Sequence, residues 1–159
     1  MSKTKDTKDT KDTTVTRKTL IEALNRDLER EYQAIIAYTI YSKVLKGAAY
    51  MNIAAELEKH AHEELNHALI ISDSVDYLGG MPANTPKKVK TSDDAKEMLR
   101  FDLDNEKETI RQYRQRVKQC EELGEYAIAE QIRKILIDEQ DHLSALATAL
   151  GINPPDPGK

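Results

Sequence analysis

The sequence predicts an all-α protein: an antiparallel four-helix bundle with one long crossover. Three observations carry this. In four separate segments, apolar residues recur at alternating spacings of three and four. Six glycines and five prolines among 159 residues gather mostly at the ends of those segments. One of the three connections is much longer than the other two.

Residues 1–14 repeat Thr-Lys-Asp and have no apolar face to bury, which predicts a disordered tail. The bundle is expected over 15–151. Its first helix is predicted over about Arg17–Lys46, with Thr16 as N-cap and Gly47 as terminator. The second runs about Tyr50–Leu78 and stops at Gly79-Gly80-Met81-Pro82. The third starts near Ser92, where Thr91 and Asp94 have capping-box spacing, and ends near Glu122. The fourth runs about Glu125–Leu150 and stops at Gly151. Residues 152–159 hold three prolines and predict a tail with no fifth helix.

The connections set the topology. First to second and third to fourth are joined by a few residues, so each pair is a helical hairpin. The link Gly79–Thr91 can span roughly 45 Å when extended, the length of a helix of about 30 residues. It can therefore cross the whole bundle and make the second and third helices parallel.

Composition narrows the function. Charged residues are 33% and net charge is −4, which argues against nucleic-acid binding through bulk charge. The lysines of the N-terminal repeat alternate with aspartates, so DNA is not an expected partner. No run of about 18 apolar residues exists, so no membrane span is expected. The single cysteine, Cys120, reads as a core thiol, and with no apolar leader segment the cytoplasm is the expected compartment.

The apolar stripes are interrupted at their centres. The first reads Leu24, Leu28, Glu31, Ile35, Tyr38, and the second Ile53, Leu57, His60, Glu64, His67, Ile71. The third reads Leu99, Leu103, Glu106, Ile110, Tyr113, Val117, and the fourth Ile128, Ile132, Ile135, Glu139, His142, Leu146. The four glutamates lie near the midpoints of their helices, so in an aligned bundle they meet at one level. Four buried carboxylates need a counter-charge, since each unpaired ion costs several kcal/mol or takes up a proton. No Lys or Arg stands on these stripes, and two divalent cations balance four carboxylates. Residues i and i+3 share a helix face, so each Glu-x-x-His presents a carboxylate and an imidazole together. Mixed oxygen and nitrogen donors suit iron or manganese, with zinc a competitor. The metal-site candidates are Glu31, Glu64, His67, Glu106, Glu139 and His142.

The chain resembles the bacterioferritins of the ferritin-like superfamily in Glu31-Tyr-Gln-Ala-Ile-Ile-Ala-Tyr38, Glu64-Leu-Asn-His67, Leu78-Gly-Gly-Met-Pro82, Met98-Leu-Arg-Phe-Asp-Leu-Asp-Asn-Glu106 and Ile135-Leu-Ile-Asp-Glu139-Gln-Asp-His142. The resemblance covers about 17–150. It implies a ferritin-like bundle with a centre of two iron ions, ferroxidase activity, and a hollow homo-oligomeric shell that stores ferric mineral. It places Glu31 and His67 on one iron, Glu106 and His142 on the other, and Glu64 and Glu139 as bridges. It makes Tyr38 a residue able to supply an electron.

Three departures refine it. Family haem is held by a Met directly after the bridging Glu of the second helix. Here that position is Leu65, so no haem is expected. The missing fifth helix favours a shell of twelve chains over twenty-four. The charged N-terminal extension is similar to those of Dps-like mini-ferritins. Rubrerythrins share the pattern but usually add a Glu where this chain has Thr109. The alternatives are therefore a small di-iron or di-manganese redox enzyme, peroxidase or catalase, and a DNA-protecting structural protein. Tyr113 reads as core and His62 as solvated. His60, with Glu63 beside it, reads as structural or solvent-facing before an accessory iron site.

Overall fold

The computed structural model describes residues 14–159, and apart from Thr14 the expected disordered tail lies outside the described residues. The all-α reading holds. Four helices form the bundle: α1 (Arg17–Val44), α2 (Met51–Tyr77), α3 (Ala95–Glu122) and α4 (Tyr126–Ala149). No strand occurs among the described residues.

The boundaries differ from the sequence reading in ways the caps explain. Thr16 caps α1 as expected: its hydroxyl accepts from the Thr19 N–H, and Thr19 returns the bond to the Thr16 N–H. α1 then ends at Val44, short of Lys46, and a 3-10 turn over Ala48–Tyr50 leads into α2. α3 begins three residues later than expected, at Ala95. Asp94 is itself the cap, accepting from the Glu97 N–H at 2.7 Å, while Ser92 receives the Asp94 N–H at 3.0 Å. The Thr91–Asp94 capping box is thus replaced by a cap at Asp94.

α1 packs mainly on α2 and α3 mainly on α4, with α1–α3 and α2–α4 contacts joining the two hairpins. Tyr38 reaches Glu106 and Tyr113 reaches Glu31, so α1 and α3 are antiparallel. His67 reaches Asp138 and Glu63 reaches His142, so α2 and α4 are antiparallel too. α2 and α3 therefore run parallel on opposite corners, as the long link requires.

That link is fastened to α1 along its length. Asn25 donates to the Met81 carbonyl at 3.0 Å and accepts from the Ala83 N–H at 2.8 Å. Farther along, the Lys87 N–H donates to the Glu29 carbonyl, Gln33 to the Lys88 carbonyl and Tyr41 to the Lys90 carbonyl. The turn into it needs two glycines. Gly79 has φ of 88°, and a Cβ on Gly80 would lie 2.6 Å from Ile21 Cγ2.

The core is divided. One apolar cluster includes Leu20, Leu24, Leu28, Ile71, Val75 and Ile132. The other includes Tyr41, Leu57, Leu99, Leu103, Leu143 and Leu146. The interrupted middle of every stripe falls between them.

Candidate metal centre

Six side chains meet in this polar layer: Glu31 from α1, Glu64 and His67 from α2, Glu106 from α3, and Glu139 and His142 from α4. None is more than 3% exposed. They sort into two sets of four whose donor atoms lie within 4.8 Å of one another. Glu31, Glu64, His67 and Glu139 form one set, and Glu64, Glu106, Glu139 and His142 the other. Glu64 and Glu139 belong to both.

The imidazoles turn Nδ1 inward. His67 Nδ1 lies 3.1 Å from Glu64, 3.2 Å from Glu139 and 3.6 Å from Glu31. His142 Nδ1 lies 2.8 Å from Glu64, 3.5 Å from Glu139 and 3.9 Å from Glu106. Several of these atoms are close yet make no hydrogen bond: Glu31 Oε2, Glu64 Oε1, Glu106 Oε2, both oxygens of Glu139, and His142 Nδ1. Buried polar atoms without partners are rare and costly. Six in one layer, drawn from all four helices, have the donor chemistry of a paired metal site.

The electrostatics agree. Burial and the neighbouring carboxylates push Glu31 and Glu106 well above the usual carboxylate range. Burial acts the same way on Glu64 and Glu139, but the close approach of the His142 and His67 imidazoles outweighs it and holds both low. Burial lowers the His142 imidazole, yet Glu139 and Glu64 overcome that and carry it up to about 12. His67 is raised likewise by Glu139, Glu31 and Glu64 against burial.

A second ring of groups orients the first. His67 Nε2 donates to Asp138 Oδ2 at 3.0 Å and His142 Nε2 donates to Glu63 Oε2 at 2.8 Å. Each leaves its Nδ1 facing the centre, the usual support for a ligating imidazole. Tyr38 donates its hydroxyl to Glu106 Oε1 and Tyr113 donates its own to Glu31 Oε1. Tyr113, expected to be plain core, is fully buried but bonded into the polar layer. Sequence reasoning passed over Asp138 and the full role of Glu63. The signal was an internal echo: an acidic residue directly precedes both Glu64 and Glu139, and a tyrosine follows both Glu31 and Glu106 by seven positions.

Two further buried polar groups lie close by. His60 is 3% exposed and stacks on His142 with ring centroids 4.0 Å apart. His60, Glu63 and His142 have donor atoms near one another. The His60 and His142 rings are inclined by 26°, and Glu63 accepts from His142 Nε2 in the same group. His62 is exposed, as expected. No Lys or Arg stands on the stripes themselves, but one Arg is buried beside them. Arg116 is 3% exposed, one residue before Val117 of the third stripe, and its Nε donates to Asp27 at 2.6 Å. Asp27 consumes that charge, so Arg116 does not neutralise the four glutamates.

A cavity of about 10 Å³, room for about one water, opens beside the centre between α1 and α3. Arg30, Gln33, Ala34, Asn105 and Thr109 line it with the four glutamates.

A paired carboxylate–imidazole centre inside an antiparallel bundle with one crossover defines a class, and comparison with known proteins agrees. Residues 21–152 match the ferritin-like domain, and the chain belongs to that ferritin family. Its relatives include the bacterioferritin of Desulfovibrio desulfuricans, 32% identical over 79% of this chain and 70% of that one. The bacterioferritin of Brucella melitensis is 27% identical over 84% of this chain and 83% of that one. Among solved structures, a ferritin-like diiron-carboxylate protein from Bacillus anthracis superposes with a TM-score of 0.81 at 33% identity, covering 84% of this chain and 96% of the other. A dodecameric thioferritin, the bacterioferritin-related protein of Bacteroides fragilis, gives a TM-score of 0.79 at 27% identity over 86% and 87%.

Proposed function

We propose that the protein is a ferroxidase that oxidises Fe(II) with dioxygen or hydrogen peroxide and stores the ferric product inside a homo-oligomeric shell. The observation that carries the reading is the sharing of Glu64 and Glu139 by two four-residue donor sets. Two carboxylates common to both sets hold two substrate ions close together, at the roughly 3.5–4 Å typical of paired metal sites. Two one-electron donors are then presented to one oxidant, which limits the release of partly reduced oxygen.

Each residue has a place in this reading. Glu31 and His67 complete one ion's coordination, and Glu106 and His142 the other's. Asp138 and Glu63 fix the imidazole tautomers, and Tyr38 steadies Glu106. The apolar clusters above and below keep bulk water from the layer. Iron is favoured over manganese by the bacterioferritin relatives and by the likeness to the diiron-carboxylate protein of Bacillus anthracis. Haem is not part of the proposal, because Leu65 is half-exposed on α2 and carries no donor atom. DNA is not proposed as a partner, and the cytoplasm is the proposed compartment. Among the described residues no helix is long and apolar enough to cross a membrane.

The test is the kinetics of Fe(II) oxidation in the wild type, Glu64→Ala and Glu139→Ala, with metal content measured alongside. Rapid oxidation should be lost in both variants while helical circular dichroism persists. Wild-type kinetics in either variant would falsify the site.

A further inference from the structure

We infer that Tyr113 is the partner of Tyr38 in a matched pair of electron-donating phenols, one for each half of the centre, an inference that rests on the ferroxidase reading. The two residues are placed alike. Tyr38 follows Glu31 by seven positions and Tyr113 follows Glu106 by seven. Each hydroxyl crosses to the opposite hairpin and donates to Oε1 of the other helix's glutamate, Tyr38 to Glu106 and Tyr113 to Glu31. Each rests on a carboxylate whose Oε2 is buried without a partner and free for an ion. Both phenols are fully buried.

Tyr41 shows what a core tyrosine does otherwise. It is almost as buried but gives its hydroxyl to the Lys90 backbone carbonyl. A carbonyl cannot take up a phenol's proton; a carboxylate can. Tyr38 and Tyr113 therefore hold hydrogen bonds along which a proton can leave when the ring loses an electron, and Tyr41 does not. The accepting carboxylates belong to the set proposed to hold the ions, so each phenol has a short covalent and hydrogen-bonded route to the site of oxidation.

The electron count gives the pair a use. Two Fe(II) ions supply two of the four electrons that turn dioxygen into water, and two phenols supply the rest. The balance is two Fe(II), two tyrosines, one dioxygen and two protons giving two Fe(III), two neutral tyrosyl radicals and two waters. Each phenol O–H breaks, its proton passing to Glu106 or Glu31. Without the phenols, two Fe(II), one dioxygen and two protons give two Fe(III) and one hydrogen peroxide.

The experiment loads the full-length protein anaerobically with two Fe(II) per chain, adds dioxygen, and follows tyrosyl radical by freeze-quench electron paramagnetic resonance and released peroxide by assay. The proteins are wild type, Tyr38→Phe, Tyr113→Phe, the double variant, and Tyr41→Phe as a control. Each of the first two single variants is expected to keep part of the radical signal. The double variant is expected to lose it and to release about one peroxide per two Fe(II), with Tyr41→Phe unchanged. The inference is overturned if Tyr38→Phe alone removes the whole signal or if Tyr113→Phe matches wild type in signal and peroxide. Wild-type protein that oxidises Fe(II) without any tyrosyl signal also overturns it and leaves the ferroxidase reading standing. Wild-type protein that does not oxidise Fe(II) overturns both.

Discussion

Glu63 and Asp138 hold no ion in the proposed arrangement, yet each fixes the imidazole that does. Glu63→Gln and Asp138→Asn should weaken Co(II) binding by about 10–100-fold, the usual cost of losing such support. The effects should be separable: Asp138→Asn acts on the ion beside His67 and Glu63→Gln on the ion beside His142. A titration in which both variants bind like wild type would remove the orienting role. Proton linkage gives a second test. Glu31 and Glu106 are raised by burial, and the two imidazoles are raised by their carboxylates, His142 to about 12. Each of these shifts favours the protonated form, with which a cation must compete. Metal binding should therefore release protons and weaken as pH falls. Calorimetry in buffers of different ionisation enthalpy reads the number released, and a value near zero would contradict the assignment. At this scale the sequence made much of the candidate cluster legible, because a Glu or Glu-x-x-His in the middle of an apolar stripe is too costly to bury without a counter-charge. It hid Asp138, which sits off the stripe and is substantially exposed. It also hid Tyr113, since a core ring and a hydrogen-bonded phenol occupy the same stripe position.

The helices were legible for a similar reason: each carries a continuous 3-4 pattern, and glycines stand where the chain turns away. The start of α3 was misread because Ser92, Asp94 and Glu97 offer overlapping caps, and only the competition among them selects Asp94. The crossover was legible in length but not in attachment, since Asn25 and Gln33 look like ordinary surface residues in the sequence. At the head of that crossover, Gly80→Ala should destabilise the protein by about 1–3 kcal/mol, the range for overpacking a filled position. Its Cβ would press on Ile21 Cγ2 and on Val75. Thermal unfolding should show a lower midpoint, and an unchanged midpoint would mean that the turn relaxes freely.

The largest scale is assembly. A mineral store needs an enclosed interior, and closed symmetric rings and shells are the normal form of homo-oligomers. We expect twelve chains. The residues after α4 fold as turns and extended chain, and the structurally similar thioferritin of Bacteroides fragilis is dodecameric. Exposed Ile36, Leu65 and Leu69 on α1 and α2 supply apolar surface for such contacts. Native mass spectrometry should give a particle of about twelve chains. A mass near twenty-four chains would refute the number, and a stable monomer or dimer under iron loading would remove storage altogether.

The two donor sets each draw on both hairpins, because Glu64 comes from α2 and Glu139 from α4. The contacts joining the hairpins are sparser than those inside them. A cation bound as proposed would therefore work as a clasp across the sparser seam between the hairpins. Emptying the centre would loosen the docking of one hairpin on the other before it unwound any helix, and refilling it would close the seam again.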